Sequence, residues 1–392
     1  MRRLRAARAA ELRRRFRARH PSGLPLLGHF SSFHGWEGNV GFPAFHPAPF
    51  RGDPDLARAV RHGDFLLTRL EQADWRVCDC FEGRLLFTRC NCTGSESDSC
   101  ITVFNPLSQR LDPVCDPNPT PDAGGPLQNS CLLPSSGSSS TAGFRAGKGF
   151  RVAGFQSSGP KIRLVVYDSQ TGQWSFRSWV GMSLPFGAPM HACGCVYLRC
   201  LEAGRMLRLD KLTMELSVVT IPPGVPVKRP WCIGETEDGE LCLVCVVHDM
   251  MEREDALLVW IHDDSKKIWQ LKEEVILWSE VGILHRVLRI CSILDGIVTL
   301  CLKGYQNRNH VAFSLTNLEV KAKFECSGVP FTYIMPCPWL HEGLFSLIYL
   351  SPGLSVGHQH SFVFLLSSYI FFAANLGTIR GGHVHQWQVV SC

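Results

Sequence analysis

An all-β fold, a β-propeller of about six irregular blades with a short N-terminal helix, is what this sequence predicts. Three observations predict it. Gly (35) and Pro (24) are plentiful among the 392 residues while charged residues make up only 19%, a balance that favours short strands and turns over long helices. A strand-and-turn unit recurs along the chain. Its spacing is about 50 residues, the length of three or four short strands and their connections. With 45% hydrophobic residues the chain can also build a sizeable core.

The recurrence has two parts. A glycine followed by an apolar run appears in "DCFEGRLLF" (79–87), "HACGCVYL" (191–198), "ETEDGELCLV" (235–244) and "SILDGIVTL" (292–300). An apolar strand running into a polar turn appears in "VFNPLSQRL" (103–111), "LVVYDSQTGQW" (164–174), "MLRLDKLTMEL" (206–216), "LVWIHDDSKKIWQL" (258–271) and "VAFSLTNLEV" (311–320). Marking the residue that opens each turn gives Asn105, Asp168, Asp210, Asp263 and Leu315, at intervals of 63, 42, 53 and 52. One four-stranded sheet cannot bury both faces alone. Sheets packed face to face around an axis, as in kelch-like propellers, solve that problem. The opening Asp and Asn side chains are expected to cap their own turns, and Trp174, Trp260 and Trp269 to supply apolar area between blades.

The segments fall in order along the chain. Residues 1–30 form a basic arm, expected to be helical because Ala, Leu, Arg and Glu are good helix formers. Residues 31–350 form the propeller. Within it, 116–148 is dominated by Pro, Gly and Ser and reads as an exposed, disordered loop. The charged, amphipathic stretch 263–284 reads as a short helix between blades. Five units are visible, and "CPWLHEGLFSLIYL" (337–350) is the candidate start of a sixth. Residues 351–392 are an atypical hydrophobic tail. Its stretch 361–379 has no charge over nineteen residues and is open to three readings: a buried strand pair, a membrane anchor, or a tail outside the fold. Of these the membrane is the less expected.

Charge and cysteine use bound the function. The first twenty residues hold nine Arg and one Glu, a local +8, which leaves the rest of the chain near −3 against a total of +5. The folded body therefore lacks a basic field for nucleic acid, and none is expected as a partner. The Arg-rich, acid-poor start also has the composition of a transit peptide. No apolar leader is visible, so the eighteen cysteines are expected to be reduced and mostly buried, the sequon Asn91-Cys92-Thr93 unused, and the protein cytoplasmic or nuclear.

Chemical motifs are weak. "AGFRAGKG" (142–149) departs from a phosphate loop at Ala142 and Gly149. The C-x-C pairs Cys78/Cys80, Cys90/Cys92 and Cys193/Cys195 would each share one strand face, as core residues do, and four thiols at 78, 80, 90 and 92 are the best zinc candidate among them. Cys242/Cys245 is C-x-x-C. His358/His360 and His383/His385 sit in the tail. Nothing assembles a nucleophile, base and orienter. No catalytic, cofactor-binding or metal residue is named, no cofactor is expected, and the chain is not read as an enzyme.

"LRRRFRARHPSGLPLLGHF" (12–30), "DLARAVRHGDFLLTRL" (55–70), "WRVCDCFEGRLLF" (75–87) and "VFNPLSQRLDPV" (103–114) resemble plant F-box proteins in the region after the F-box. "VVYDSQTGQW" and "EDGELCLV" sit well with that family's blades. The similarity covers about residues 5–345. It implies a kelch-like F-box-associated domain that recruits a target protein. In that family an F-box of about forty-five residues docks on the Skp adaptor of a cullin-based ubiquitin ligase. The F-box should precede "FRARHP", where about fifteen residues stand. "MRRLRAARAAELR" lacks the Leu-Pro start and the spaced Ile/Leu ladder, so the chain reads as the recognition half without its adaptor-docking half. The expectation is thus a non-catalytic protein-binding module with an unidentified target. The alternatives are a propeller enzyme, of the kelch-type oxidase or hydrolase kind, and a truncated chain with no retained function.

Overall fold

The computed structural model describes residues 26–34, 40–47, 54–70, 75–89, 101–114, 127–135, 149–200, 204–225, 230–248, 255–263, 265–277, 287–303, 309–325 and 329–334. The chain divides into two units, Met1–Phe345 and Ser346–Cys392. Every described residue belongs to the first. The arm over 1–25, the segment 337–350, the tail with its two H-x-H pairs, Cys90, Cys92 and the sequon lie outside the described residues.

Six antiparallel sheets form the fold. Blade one is β3 (Trp75–Phe81), β4 (Arg84–Arg89), β5 (Ile101–Asn105) and β6 (Arg110–Val114). Blade two is β7 (Gln128–Pro134), β8 (Phe150–Ser158), β9 (Lys161–Asp168) and β10 (Gln173–Phe176), with β11 (Val180–Gly181) also on β9. Blade three is β12 (Phe186–Ala192), β13 (Cys195–Arg199), β14 (Arg205–Asp210) and β15 (Leu216–Thr220). Blade four is β16 (Trp231–Glu235), β17 (Leu241–His248), β18 (Asp255–Asp263) and β19 (Ile268–Ile276). Blade five is β20 (Val287–Leu294), β21 (Ile297–Leu302), β22 (Asn309–Ser314) and β23 (Val320–Glu325). The closing sheet is built from both ends of this set: β24 (Val329–Ile334) pairs with β1 (Leu26–His34), which pairs with β2 (Val40–Pro47).

The six innermost strands touch in a cycle, β3 to β7, β12, β16, β20, β24 and back to β3. That cycle makes the molecule a six-bladed propeller. Burial follows it. Middle strands carry runs buried on both faces, such as the apolar Leu241–Val246 of β17 and Leu164–Val166 of β9. Outermost strands such as β10 and β15 are mostly exposed. The core accordingly lies in layers between blades: Leu86, Val103, Leu132 and Val152 join one and two; Leu133, Leu164, Val196 and Leu207 join two and three.

Both recurring sequence signals turn out to be turns. Glu82-Gly83, Cys193-Gly194 and Asp295-Gly296 each have positive φ at both positions, the two-residue hairpin geometry that matches strand twist. The other signal lies between the third and fourth strands. Asn105, Asp168, Asp210 and Asp263 accept hydrogen bonds from backbone N–H groups two or three residues on, as expected. In blade five the equivalent residue is Ser314, not Leu315: β22 ends at Ser314, and its hydroxyl accepts from Thr316 N. The turn residue with positive φ confirms the register, lying four positions after each opener at Gln109, Gly172, Met214, Lys267 and Leu318.

Other expectations are corrected. Residues 26–30, assigned to a helical arm, are strand, because Leu27 and Phe30 are buried and β1 is hydrogen-bonded along both edges. The segment 116–148 is not one loop: Ser130–Leu133 is buried in β7, the innermost strand of blade two. Its Pro, Gly and Ser lie around a short apolar centre. Within the stretch 263–284, Ile268–Ile276 is the edge strand β19 and not helix, since pairing with β18 satisfies its backbone, while 278–284 lie outside the described residues. Exposed Lys272, Glu273 and Glu274 guard that edge. Among the described residues the sixth sheet consists of β1, β2 and β24, and the segment 337–350 lies outside them.

One helix is present among the described residues, α1 (Pro54–His62). Its Leu56 and Ala59 are buried, Arg61 and His62 suit its C-terminal dipole, and Gly63 N closes it on Ala59 O at 3.0 Å. Phe65, just beyond, packs on Phe30 and Phe45 of the closing sheet. Asp64 N donates to Pro106 O in blade one. The helix and its following turn thus fasten the closing sheet to blade one. Among the described residues no helix is long and apolar enough to cross a membrane.

Candidate functional site

Because strands alternate in direction, the first–second and third–fourth strand turns of every blade lie on one face of the propeller. Near the axis on that face, charged groups from blades one, three and four converge. Asp79 comes from the end of β3, His191 from the end of β12, Glu235 from the end of β16, Lys211 from the turn after β14 and Glu82 from the turn after β3.

Asp79 is the hub. Its Oδ2 accepts from Leu132 N of blade two at 2.7 Å and from His191 Nε2 of blade three at 2.8 Å. Oδ1 accepts from Cys80 N at 2.8 Å and faces His191 Nε2 at 3.0 Å. The imidazole stacks on Phe81 with centroids 4.4 Å apart, and Lys211 Nζ stands 4.2 Å from the same ring's centroid. Lys211 is held from its backbone: its N–H donates to Gly194 O and its carbonyl accepts from Arg151 Nη2. Glu235 accepts from Cys193 N and so joins blade four to blade three.

Burial sets the electrostatics. It pushes the His191 imidazole down, and the Asp79 carboxylate offsets only part of that. Burial likewise lowers the Lys211 ammonium, against the pull of Glu235, Glu82 and Asp79, and raises the Glu82 carboxyl. With Nε2–H given to Asp79, the buried Nδ1 of His191 makes no hydrogen bond. The side chains of Asp79 and His191 are only 4% and 9% exposed. The pair therefore holds blades in register and leaves the surrounding face to make contacts. That face carries two strongly exposed leucines: Leu66, 81% exposed beside the β5–β6 turn, and Leu212, 71% exposed next to Lys211.

The cysteine pairs are placed differently from expectation. At 78–80 a bulge turns Asp79 inward, while Cys78 and Cys80 are half-buried and Cys78 Sγ meets Thr88 Oγ1 at 3.0 Å. Cys193 is exposed in its turn and Cys195 buried; Cys242 and Cys245 are both buried in β17. Eleven described cysteines are free thiols. Among the described residues no group of three or more His, Cys, Asp or Glu is placed to hold a metal ion. The tryptophans lie at the margins of the inter-blade layers: Trp174, Trp260 and Trp269 are partly buried, and Trp269 Nε1 donates to Thr220 O of the neighbouring blade. Sequence reading missed Asp79 and His191. Their signal was a lone acid inside the apolar strand "VCDCF" and a lone imidazole in "PMHACGC".

No family model matches the chain, and no curated protein matches it. Solved structures are similar at low identity. A luciferin-regenerating enzyme aligns with 64% of this chain and 76% of its own at 10% identity and a TM-score of 0.35. A chain of a nidogen/laminin complex aligns over 79% and 98% at 9% identity and 0.38. A GH93 α-L-arabinofuranosidase of Fusarium graminearum aligns over 66% and 82% at 13% identity and 0.36. The propeller rests on the cycle of inner strands and not on these likenesses.

Proposed function

We propose that this propeller is a non-catalytic protein-binding module that recruits a target protein through the face bearing Leu66 and Leu212, as the resemblance of its blades to plant F-box-associated domains implies. One observation carries the reading. At the centre of that face Asp79, His191 Nε2 and Glu235 are spent on each other and on backbone N–H groups, while Leu66 and Leu212 stand exposed on its turns. A target would meet a preorganised surface. Within the F-box-type reading, its recruitment serves ubiquitin transfer by a ligase that contains the Skp adaptor and a cullin.

The full chain, immobilised and exposed to cell extract, is expected to retain a defined target set by mass spectrometry. The double variant Leu66→Asp/Leu212→Asp is expected to lose about tenfold of that binding with an unchanged melting temperature, since both side chains are already in water. Equal retention by the variant overturns this use of the face. Absence of Skp and cullin from the target assemblies removes the ligase relation. A second reading, a propeller hydrolase, draws on the Asp79–His191 pair, which is how a general base is oriented. Asp79→Asn separates the two: a tie between blades loses stability, whereas a dyad that only orients a base keeps its melting temperature.

A further inference from the structure

Blade five packs on blade four through apolar side chains, Val298, Leu300, Val311 and Phe313 among them. Its other face, toward the closing sheet, is built differently. Strand register aligns Arg289, Cys301, His310 and Phe324 straight across β20 to β23. The closing sheet answers with the row Thr332, His29 and His46. The His29 ring stacks on Phe324 at 4.2 Å, His310 stacks on it at 5.1 Å, and Ser292 Oγ meets Thr332 Oγ1 at 2.7 Å. A second thiol joins this row. Cys291 sits in the β20 irregularity between Ile290 and Ser292, two residues from Arg289 and therefore beside Cys301.

We propose that Cys291 and Cys301 are a peroxide-oxidisable thiol pair, set with His310 and Arg289 into the seam where the propeller ring closes. Strand register sets Cys301 directly between Arg289 on β20 and His310 on β22, with Cys291 beside it. Donors and a cation around one sulfur favour its thiolate, so the Cys301 thiol lies below its ordinary range, while burial and the neighbouring Cys301 keep the proton on Cys291. Cys291 is the partly exposed member of the pair and Cys301 the buried one, so in this proposal the oxidant enters from the Cys291 side.

The chemistry closes in two steps. The Cys301 thiolate attacks one oxygen of hydrogen peroxide: an S–O bond forms, the O–O bond breaks, and the departing hydroxide takes a proton to leave as water. The Cys291 sulfur then attacks the sulfenic sulfur of Cys301: the S–S bond forms, the S–O bond breaks, and a second water leaves with the Cys291 proton. Two thiols are oxidised and one peroxide is reduced to two waters.

The full chain treated with hydrogen peroxide, then denatured, alkylated with iodoacetamide and mapped by mass spectrometry, tests this. The peptide spanning both cysteines is expected to lose two hydrogens and escape alkylation, while buried Cys131 and Cys242, whose thiols burial pushes up, are alkylated in full. In Cys291→Ser the reaction is expected to stop at a Cys301 sulfenic acid that dimedone traps. In His310→Asn, which keeps both thiols, oxidation is expected to slow about tenfold. Complete alkylation of Cys291 and Cys301 after peroxide overturns the proposal, as does an unchanged rate in His310→Asn or dimedone labelling of Cys291 in place of Cys301.

Discussion

Asp79 accepts hydrogen bonds from its own strand, from Leu132 N on β7 and from His191 on β12. Removing it strands a buried N–H and a buried imidazole at once. Asp79→Ala is therefore expected to cost about 3 kcal/mol or more, read as a fall in the urea midpoint. His29 gives the opposite kind of dependence, on pH. Burial foremost, then His310 and His46, hold its pKa down to about 3 from an ordinary 6.5. The folded protein keeps it neutral while the unfolded chain takes up the proton. Its contribution is thus complete above pH 6.5 and drains away as pH falls from there toward 3, by up to about 1.4 kcal/mol per unit. Urea midpoints should fall between pH 7.5 and pH 5 in the parent, and His29→Phe, which keeps the stack on Phe324, should flatten that slope.

The elements differ in how far their sequence announces them. Turns were plain, because a hairpin with positive φ at two positions selects Gly at the second, and a turn-opening Asp or Asn supplies its own acceptor. Strand β7 was hidden because four apolar-to-small residues, Ser130 to Leu133, lie within a window whose Pro, Gly and Ser dominate its average. Strand β19 was hidden for another reason: its charges fit an exposed helix face as well as an exposed sheet edge, and only pairing with β18 decides between them. Asp79 and His191 lie 112 positions apart, so their meeting is a property of the ring and not of either strand. Close approach between inner strands is similarly invisible in sequence. A Cβ on Gly234 of β16 would meet the Ile293 carbonyl oxygen at 2.5 Å and its Cγ2 at 2.6 Å. Gly234→Ala is expected to cost about 2 kcal/mol by forcing blades four and five apart, measurable by thermal denaturation, with Gly159→Ala, whose Cβ meets nothing, reporting backbone strain alone.

At the scale of the molecule, stability depends on the sheet that both ends of the propeller build together. Deleting β24 removes the innermost strand of that sheet and leaves β20 and β3 without the neighbour that joins them. The shortened chain is expected to lose its single cooperative melt and to show broadened unfolding by circular dichroism. A melt as sharp as the parent's would mean that five blades hold their arc unaided. The register of this closure has a further consequence. Leu26, which begins β1, lies opposite Ile334, which ends β24. Where the chain enters and where it departs are thus a strand's width apart. Such a ring has no privileged origin: those two points can be welded and the chain cut between any two blades, or the whole disc can be spliced as a guest into a surface loop of a host that need open by only one strand spacing to receive it.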